Sequence, residues 1–357
     1  MDQFNKTMSQ FKRSLPYHIT GLDELRGIAV LAVLIPHAAH AGAIQMTGSG
    51  AIGVDLFFVI SGFLITKILL RTPKDAPGYF RNFYIRRFFR IVPLAALVIL
   101  FGISVSLVVG RTMSNVLPYY LTFTQNFIPT TPGLAPSSPD FSGPLPGCGP
   151  LWSLAVEEQF YLVLPLLVWK FRPKHVPIFA VIVTVVGLSL RYFYLAPDYA
   201  ITVGHDVDPN AATNWYLNPY ATPFRMQYLA LGVLLACKEG KTILPGLFVF
   251  WLALVLIKTP FLWLEPVLGL VMVFAVQRCI AQRPLIKSKL LAHFGVLCFG
   301  LYCLNWPIVA LFELVGPAPI WAISGTILGT YIAALVSFHY FELPLLKLRS
   351  RFERHAD

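Results

Sequence analysis

Ten stretches of this chain are apolar for long enough, or nearly so, to cross a hydrocarbon layer, and no other feature restricts its fold as strongly. They run over residues 24–43, 53–70, 91–109, 151–169, 176–195, 223–237, 242–257, 263–280, 291–312 and 319–339. Only 13% of the residues are charged, against about 25% in an ordinary soluble domain, which excludes a conventional cytosolic enzyme. Ten helices of about 20 residues use roughly 200 positions and leave no room for a second globular domain. The expectation is an all-α integral membrane protein with about ten transmembrane helices in a single domain over residues 1–345 and a basic tail at 346–357.

The net charge of +11 raises the question of a nucleic-acid partner, and the positions of the basic residues answer it. With a cytosolic N-terminus, 23 of the 28 Lys and Arg residues fall on inner segments; only Arg26, Arg111, Arg191, Arg225 and Lys258 do not. This positive-inside bias predicts both termini in the cytosol and attraction to anionic lipid heads, with no nucleic-acid partner. Lys12 and Arg13 precede an apolar run that ends in AAHAGA, as in a signal peptide, but Asp23, Glu24 and Arg26 crowd its start, so a retained first helix is expected. Cys148 is expected on the outer face, with Cys237, Cys279, Cys298 and Cys303 at inner helix ends or within a span, so no disulfide pair and no metal site are predicted.

Two outer loops are long. Residues 110–150 are rich in Pro, Gly and Ser, and residues 196–222 carry Asp198, His205, Asp206 and Asp208. The inner segment 76–90 interleaves aromatics with arginines, the pattern of an amphipathic interfacial helix.

Ionisable groups inside spans are costly and are functional candidates by default. The first span holds Arg26 and His37, eleven residues apart. At 3.6 residues per turn their side chains project within roughly 20° of each other, with about 16.5 Å of axial rise between them. That spacing suits a long substrate lying along the helix with its anionic end at Arg26 and its reactive end at His37, and equally a snorkelling arginine and a buried neutral histidine. Arg86, Arg87 and Arg90 lie within one helical turn of one another and form a cluster of guanidinium forks suited to phosphates, or to lipid heads. Glu157 and Glu158 are adjacent in LWSLAVEEQFY and point about 100° apart, so at most one faces a given cavity squarely. Two roles fit Asp55: orienting His37 or capping its own helix. Glu342 is expected to position the tail.

Taken together, LDELRGIAVLAVLIPH (22–37), GVDLFFVISGFLIT (53–66), YIRRFFRIVP (84–93), LWSLAVEEQFY (151–161) and FELP (341–344) resemble, in order, the signatures of the membrane-bound acyltransferase 3 family. The resemblance implies a multi-pass enzyme of the bacterial cytoplasmic membrane. It moves an acyl group, usually acetyl from cytosolic acetyl-CoA, to a sugar hydroxyl of an envelope or exported glycan such as O-antigen or exopolysaccharide. It further implies that His37 is the essential histidine, Arg26 the first-helix arginine, Arg87 and Arg90 the paired arginines holding the donor's phosphates with Arg86 assisting, and Glu157 and Glu158 the acidic pair. One position departs from the pattern: Asn305 stands before Trp306 and Pro307 where a His is common. Two rivals predict different chemistry. A proton-coupled transporter explains intramembrane charge but not the arginine cluster, and a scaffold subunit requires no transfer at all.

Overall fold

The computed structural model describes residues 19, 21–44, 49–110, 112–113, 115–130, 145–190, 221–237, 264–316 and 318–353. Among these residues the chain forms helices joined by turns and irregular segments, with no strand. In order, the helices are α1 (Leu22–Ala41), α2 (Ser49–Arg71), α3 (Tyr79–Val108), the single turn α4 (Leu117–Leu121), α5 (Leu151–Lys170), α6 (Val176–Leu190), α7 (Met226–Cys237), α8 (Leu264–Ile280), α9 (Lys289–Val296), α10 (Cys298–Val315), α11 (Pro319–Ser337) and α12 (Leu343–Leu348). A π turn, Phe338–Glu342, joins the last two.

Six of the described segments are long and apolar enough to cross a membrane, namely Gly50–Arg71, Tyr79–Val108, Leu151–Lys170, Pro173–Leu190, Cys298–Val315 and Pro319–Arg351. Their outward faces are apolar, with Leu100, Leu162, Ile178, Leu328 and Ile332 all exposed. Apolar side chains on the outside of a bundle whose backbone bonds are satisfied within helices are what a hydrocarbon solvent selects. The chain is a multi-pass membrane protein. The expected span 242–257, nearly all of the expected outer loop 196–222 and residues 131–144 of the other lie outside the described residues.

Two segmentations differ from the sequence reading. Residues 79–108 form one helix of 30 residues, so the arginine-rich segment is not a separate interfacial helix but the first turns of α3. Arginine and the aromatics propagate a helix once it has started, and Pro93 inside α3 removes one backbone bond without ending it. Conversely, the expected span 291–312 is split at Leu297 into α9 and α10. At this break Gly295 meets α1 so closely that a Cβ there would lie 1.7 Å from the Asp23 carbonyl oxygen.

Helix α1 is central: α2, α9, α10 and α11 all pack against it. Helix α2 packs on its other side against α7, where Gly62 allows the backbones to touch; a Cβ there would lie 2.1 Å from the Leu229 carbonyl oxygen. In lipid, where the hydrophobic effect does not drive helices together, such close approach through small residues is the main source of packing energy. Prolines lie inside α1 (Pro36), α3 (Pro93), α5 (Pro165) and α10 (Pro307), four helices that surround the site.

Candidate active site

A cavity of about 580 Å³ runs between α1, α2, α3, α5 and α10 and is walled on one side by residues 338–350. Its basic residues gather at one end, with Asp23 among them. Arg26 from α1, Arg86, Arg87 and Arg90 from α3, and Lys347 and Arg349 from the C-terminal segment all line it, together with Glu342. Further along, the walls are Phe57, Phe58, Ile60 and Leu64, with Ser61, Ser153, Glu157 and Tyr302. Six cations from three distant parts of the chain therefore flank a mainly apolar shaft.

The cationic end is cross-braced. Arg26 donates to Asp23 at 3.0 Å, one turn earlier in α1. Arg86 donates to Glu353 Oε2 at 2.8 Å, and Arg349 Nε lies 2.9 Å from the other oxygen of the same carboxylate. The Phe89 and Phe352 rings pack 5.4 Å apart between centroids beside this pair. The Arg87 guanidinium sits 5.7 Å over the Tyr161 ring. The Nε atoms of Arg86 and Arg87 are buried without a hydrogen-bond partner among the described residues. Such donors are costly to leave unmade and are met naturally by a multiply charged anion.

The acidic pair divides as its angular spacing requires. Glu157 lines the cavity and accepts from Ser61 Oγ at 2.7 Å, whereas Glu158 is not part of the lining and carries a buried oxygen with no hydrogen-bond partner among the described residues. Asp55 lies seven residues into α2, too far from its start to cap it. It forms a buried ion pair with Arg225 at 3.1 Å, and the same guanidinium sits 5.3 Å over the Trp152 ring. Glu342 accepts from Ser337 Oγ at 2.9 Å and faces the cavity in addition to shaping the chain at the π turn. Cys148, expected on the outer face, is fully buried; its thiol lies 3.5 Å from the Val98 carbonyl oxygen of α3.

His37 shares α1 with Arg26 but does not line the cavity. Its Nδ1 lies 2.7 Å from Asn305 Oδ1, and the Trp306 ring packs edge-on at 4.4 Å between centroids. His40 stacks on the same indole at 5.5 Å and pairs with Glu313 at 3.2 Å. The last cavity residues on the flanking helices are Val54 and Tyr302. Gly50, one turn beyond Val54, faces His37 Nε2, and Asn305 is one turn beyond Tyr302. The imidazole thus stands about one helical turn, roughly 5 Å, past the end of the shaft. Tyr302 marks that end: its hydroxyl bonds Ser153 Oγ at 2.6 Å and donates to the Pro150 carbonyl at 2.8 Å.

Of the sequence candidates, Arg26, Arg86, Arg87, Arg90 and Glu157 meet at one cavity, while His37, Glu158 and Asp55 lie outside its lining. Lys347, Arg349 and Glu353 were not singled out because a basic C-terminus reads as topology. Arg225 was missed as a flanking charge, although a lone arginine preceding an apolar run was the available signal.

No solved structure matches the chain. The peptidoglycan O-acetyltransferase OatA of Listeria monocytogenes is 28% identical over 94% of this chain and 57% of its own length. YrhL of Bacillus subtilis is 28% identical over 92% of this chain and 55% of its own, and SACOL0978 of Staphylococcus aureus 33% identical over 65% and 37%. The last two are provisionally named O-acetyltransferases. The chain spans little more than half the length of the first two relatives and about a third of the last. The family model described as an acyltransferase domain matches residues 19–339, which takes in Arg26, Arg86, Arg87, Arg90 and Glu157 of the cavity but ends before its C-terminal wall. The chain belongs to the acyltransferase 3 family.

Proposed function

We propose that the protein is an O-acetyltransferase of the bacterial cytoplasmic membrane, which takes acetyl from cytosolic acetyl-CoA and esterifies a sugar hydroxyl of an envelope glycan. In this reading the bundle has about ten spans with both termini cytosolic, and the arginine end of the cavity opens to the cytosol. The observation that carries it is the segregated shaft: six cations at one end, an apolar length, and His37 one turn beyond the other. A polyphosphorylated donor is attracted to the cationic end, while its uncharged pantetheine arm and acyl group enter the low-dielectric interior at little cost.

Arg87 and Arg90 hold the donor's phosphates, assisted by Arg26, Arg86, Lys347 and Arg349. His37 acts as general base on the acceptor hydroxyl, a role suited to an imidazole because that group ordinarily titrates near neutrality. The acceptor oxygen bonds to the thioester carbonyl carbon, the C–S bond breaks, and the proton taken by His37 passes to the departing thiolate. Glu157 orients the donor through Ser61 or bonds the acceptor. Motion of about one helical turn at Val54 and Tyr302 joins the shaft to His37.

The names of the relatives favour a peptidoglycan sugar as the first acceptor to test, ahead of O-antigen or exopolysaccharide. Mass spectrometry of envelope glycans tests the reading. Cells lacking the protein lose one acetyl ester per modified sugar, the wild-type chain restores it, and His37→Ala does not. An unchanged set of glycan esters contradicts the proposal, as transporter or scaffold roles require.

A further inference from the structure

His37 has two ring nitrogens, and only one takes the proton during acyl transfer. We propose that Asn305 decides which: it is a positioning residue that keeps the imidazole proton on Nδ1 and so makes Nε2 the basic atom. The inference rests on the assignment of His37 in the reading above.

The argument starts from the carboxamide. Asn305 Nδ2 donates to the Leu301 carbonyl at 3.0 Å and to the Tyr302 carbonyl at 2.6 Å. Both partners can only accept, so the amide group is fixed with its nitrogen towards its own helix; the reverse orientation would set its oxygen against two carbonyl oxygens. The oxygen that remains faces His37 Nδ1 at 2.7 Å, and it too can only accept. The hydrogen in that contact therefore belongs to the imidazole. Asn305 is fully buried, so water offers its oxygen no competing donor. The edge of Trp306 at 4.4 Å confines the ring's rotation.

With Nδ1–H held, Nε2 carries the lone pair. That nitrogen faces the start of α2, where a Cβ added to Gly50 would sit 4.0 Å away and the native glycine presents no side chain. When Nε2 takes the acceptor's proton, the imidazolium keeps its Nδ1–H on the amide oxygen, and Nε2 then delivers the proton to the thiolate. A histidine at position 305 can donate or accept and dictates no single tautomer; an asparagine whose NH₂ group is already engaged dictates one. Orienting partners of this kind change turnover by 10–100-fold in metal sites and by about 10⁴ in a serine protease triad.

The test uses the full chain in lipid bilayers with ¹⁵N-labelled histidine, the His37 signals being assigned by their loss in His37→Gln. The wild type is expected to show Nδ1 protonated and Nε2 unprotonated at neutral pH. Asn305→Leu is expected to lower turnover by about 100-fold, leave the donor KM within about threefold, and release the His37 tautomer. Asn305→Asp, whose buried carboxyl in its protonated form donates to the Leu301 or Tyr302 carbonyl and keeps an accepting oxygen at His37, is expected to restore turnover to within about tenfold of wild type. A wild-type His37 protonated on Nε2 overturns the proposal, and that spectrum decides even if Asn305→Leu does not fold. Equal losses in the Leu and Asp variants with an unchanged tautomer mark a merely structural residue and also overturn it. If His37→Gln keeps full transfer, the assignment of His37 itself fails; if His37→Gln is inactive and Asn305→Leu is not, only this inference fails.

Discussion

Nδ1 of His37 and Oδ1 of Asn305 are 2.7 Å apart although 268 residues separate them in the chain. The contact ties α1 to α10 one turn beyond the cavity, and the other end of α1 carries Arg26 into the cationic mouth. One rigid helix thereby sets the distance between the charged end of the site and its imidazole. A donor has to span about 16.5 Å between the two, the axial rise of eleven residues.

Removing a phosphate-binding guanidinium weakens donor binding more than turnover. A hydrogen bond to a charged group contributes about 1.5–3 kcal/mol, so Arg87→Ala and Arg90→Ala are each expected to raise the donor KM by roughly ten- to a hundredfold. Steady-state kinetics with acetyl-CoA as the varied substrate checks this. A kcat loss with unchanged KM would place the two arginines elsewhere in the reaction.

Glu353 acts in the opposite direction. Its carboxylate is shared by Arg86 and Arg349 at the mouth of the cavity and competes with an incoming anion for both. Partly exposed pairs of this kind are worth about 0.2–1 kcal/mol, so Glu353→Gln should lower the donor KM by up to about fivefold. Titration of CoA into the purified variant reads the change directly, and weaker binding would show that the carboxylate organises the mouth.

The buried Asp55–Arg225 pair is structural on this account. Breaking one side of a buried pair costs about 3–5 kcal/mol, whereas replacing both sides with apolar residues is often neutral. Asp55→Leu and Arg225→Met should each lower the thermal transition of the detergent-solubilised protein, and the double variant should recover most of the loss. Additive losses in the double variant would show that the two charges act independently.

Cys148 is fully buried, and burial pushes its thiol well above the usual cysteine range, so little reactive thiolate forms at neutral pH. A membrane-impermeant maleimide should label Cys148 only after denaturation. Rapid labelling in intact cells would mean that the loop around 145–148 does not pack against α3.

Features that depend on helical period alone were legible in the sequence. Arg26 and His37 on one face, Arg86, Arg87 and Arg90 within a turn, and a single carboxylate of Glu157 and Glu158 facing the cavity all follow from 100° per residue. Partnerships across the fold were not. Nothing in the spacing of Asp55 pointed to Arg225, nor did the run of basic residues after Glu342 reveal that residues 347–350 wall the cavity, because period selects a face and not what packs on it. The arginine-rich start of α3 runs straight into its apolar part, since the backbone bonds of a helix are indifferent to where lipid begins. The break at Leu297 arises from contact with α1, a tertiary cause invisible in a local window.

The most direct test of the central claim is sided transfer in vesicles containing the purified protein, with acetyl-labelled CoA on the side of the arginine cluster and peptidoglycan disaccharide fragments on the other. The account predicts that wild-type protein esterifies the fragments, and that His37→Gln transfers less than about a thousandth as much label while binding CoA with unchanged affinity, as for loss of a catalytic base. Label transfer by His37→Gln at a rate near that of the wild type would contradict it.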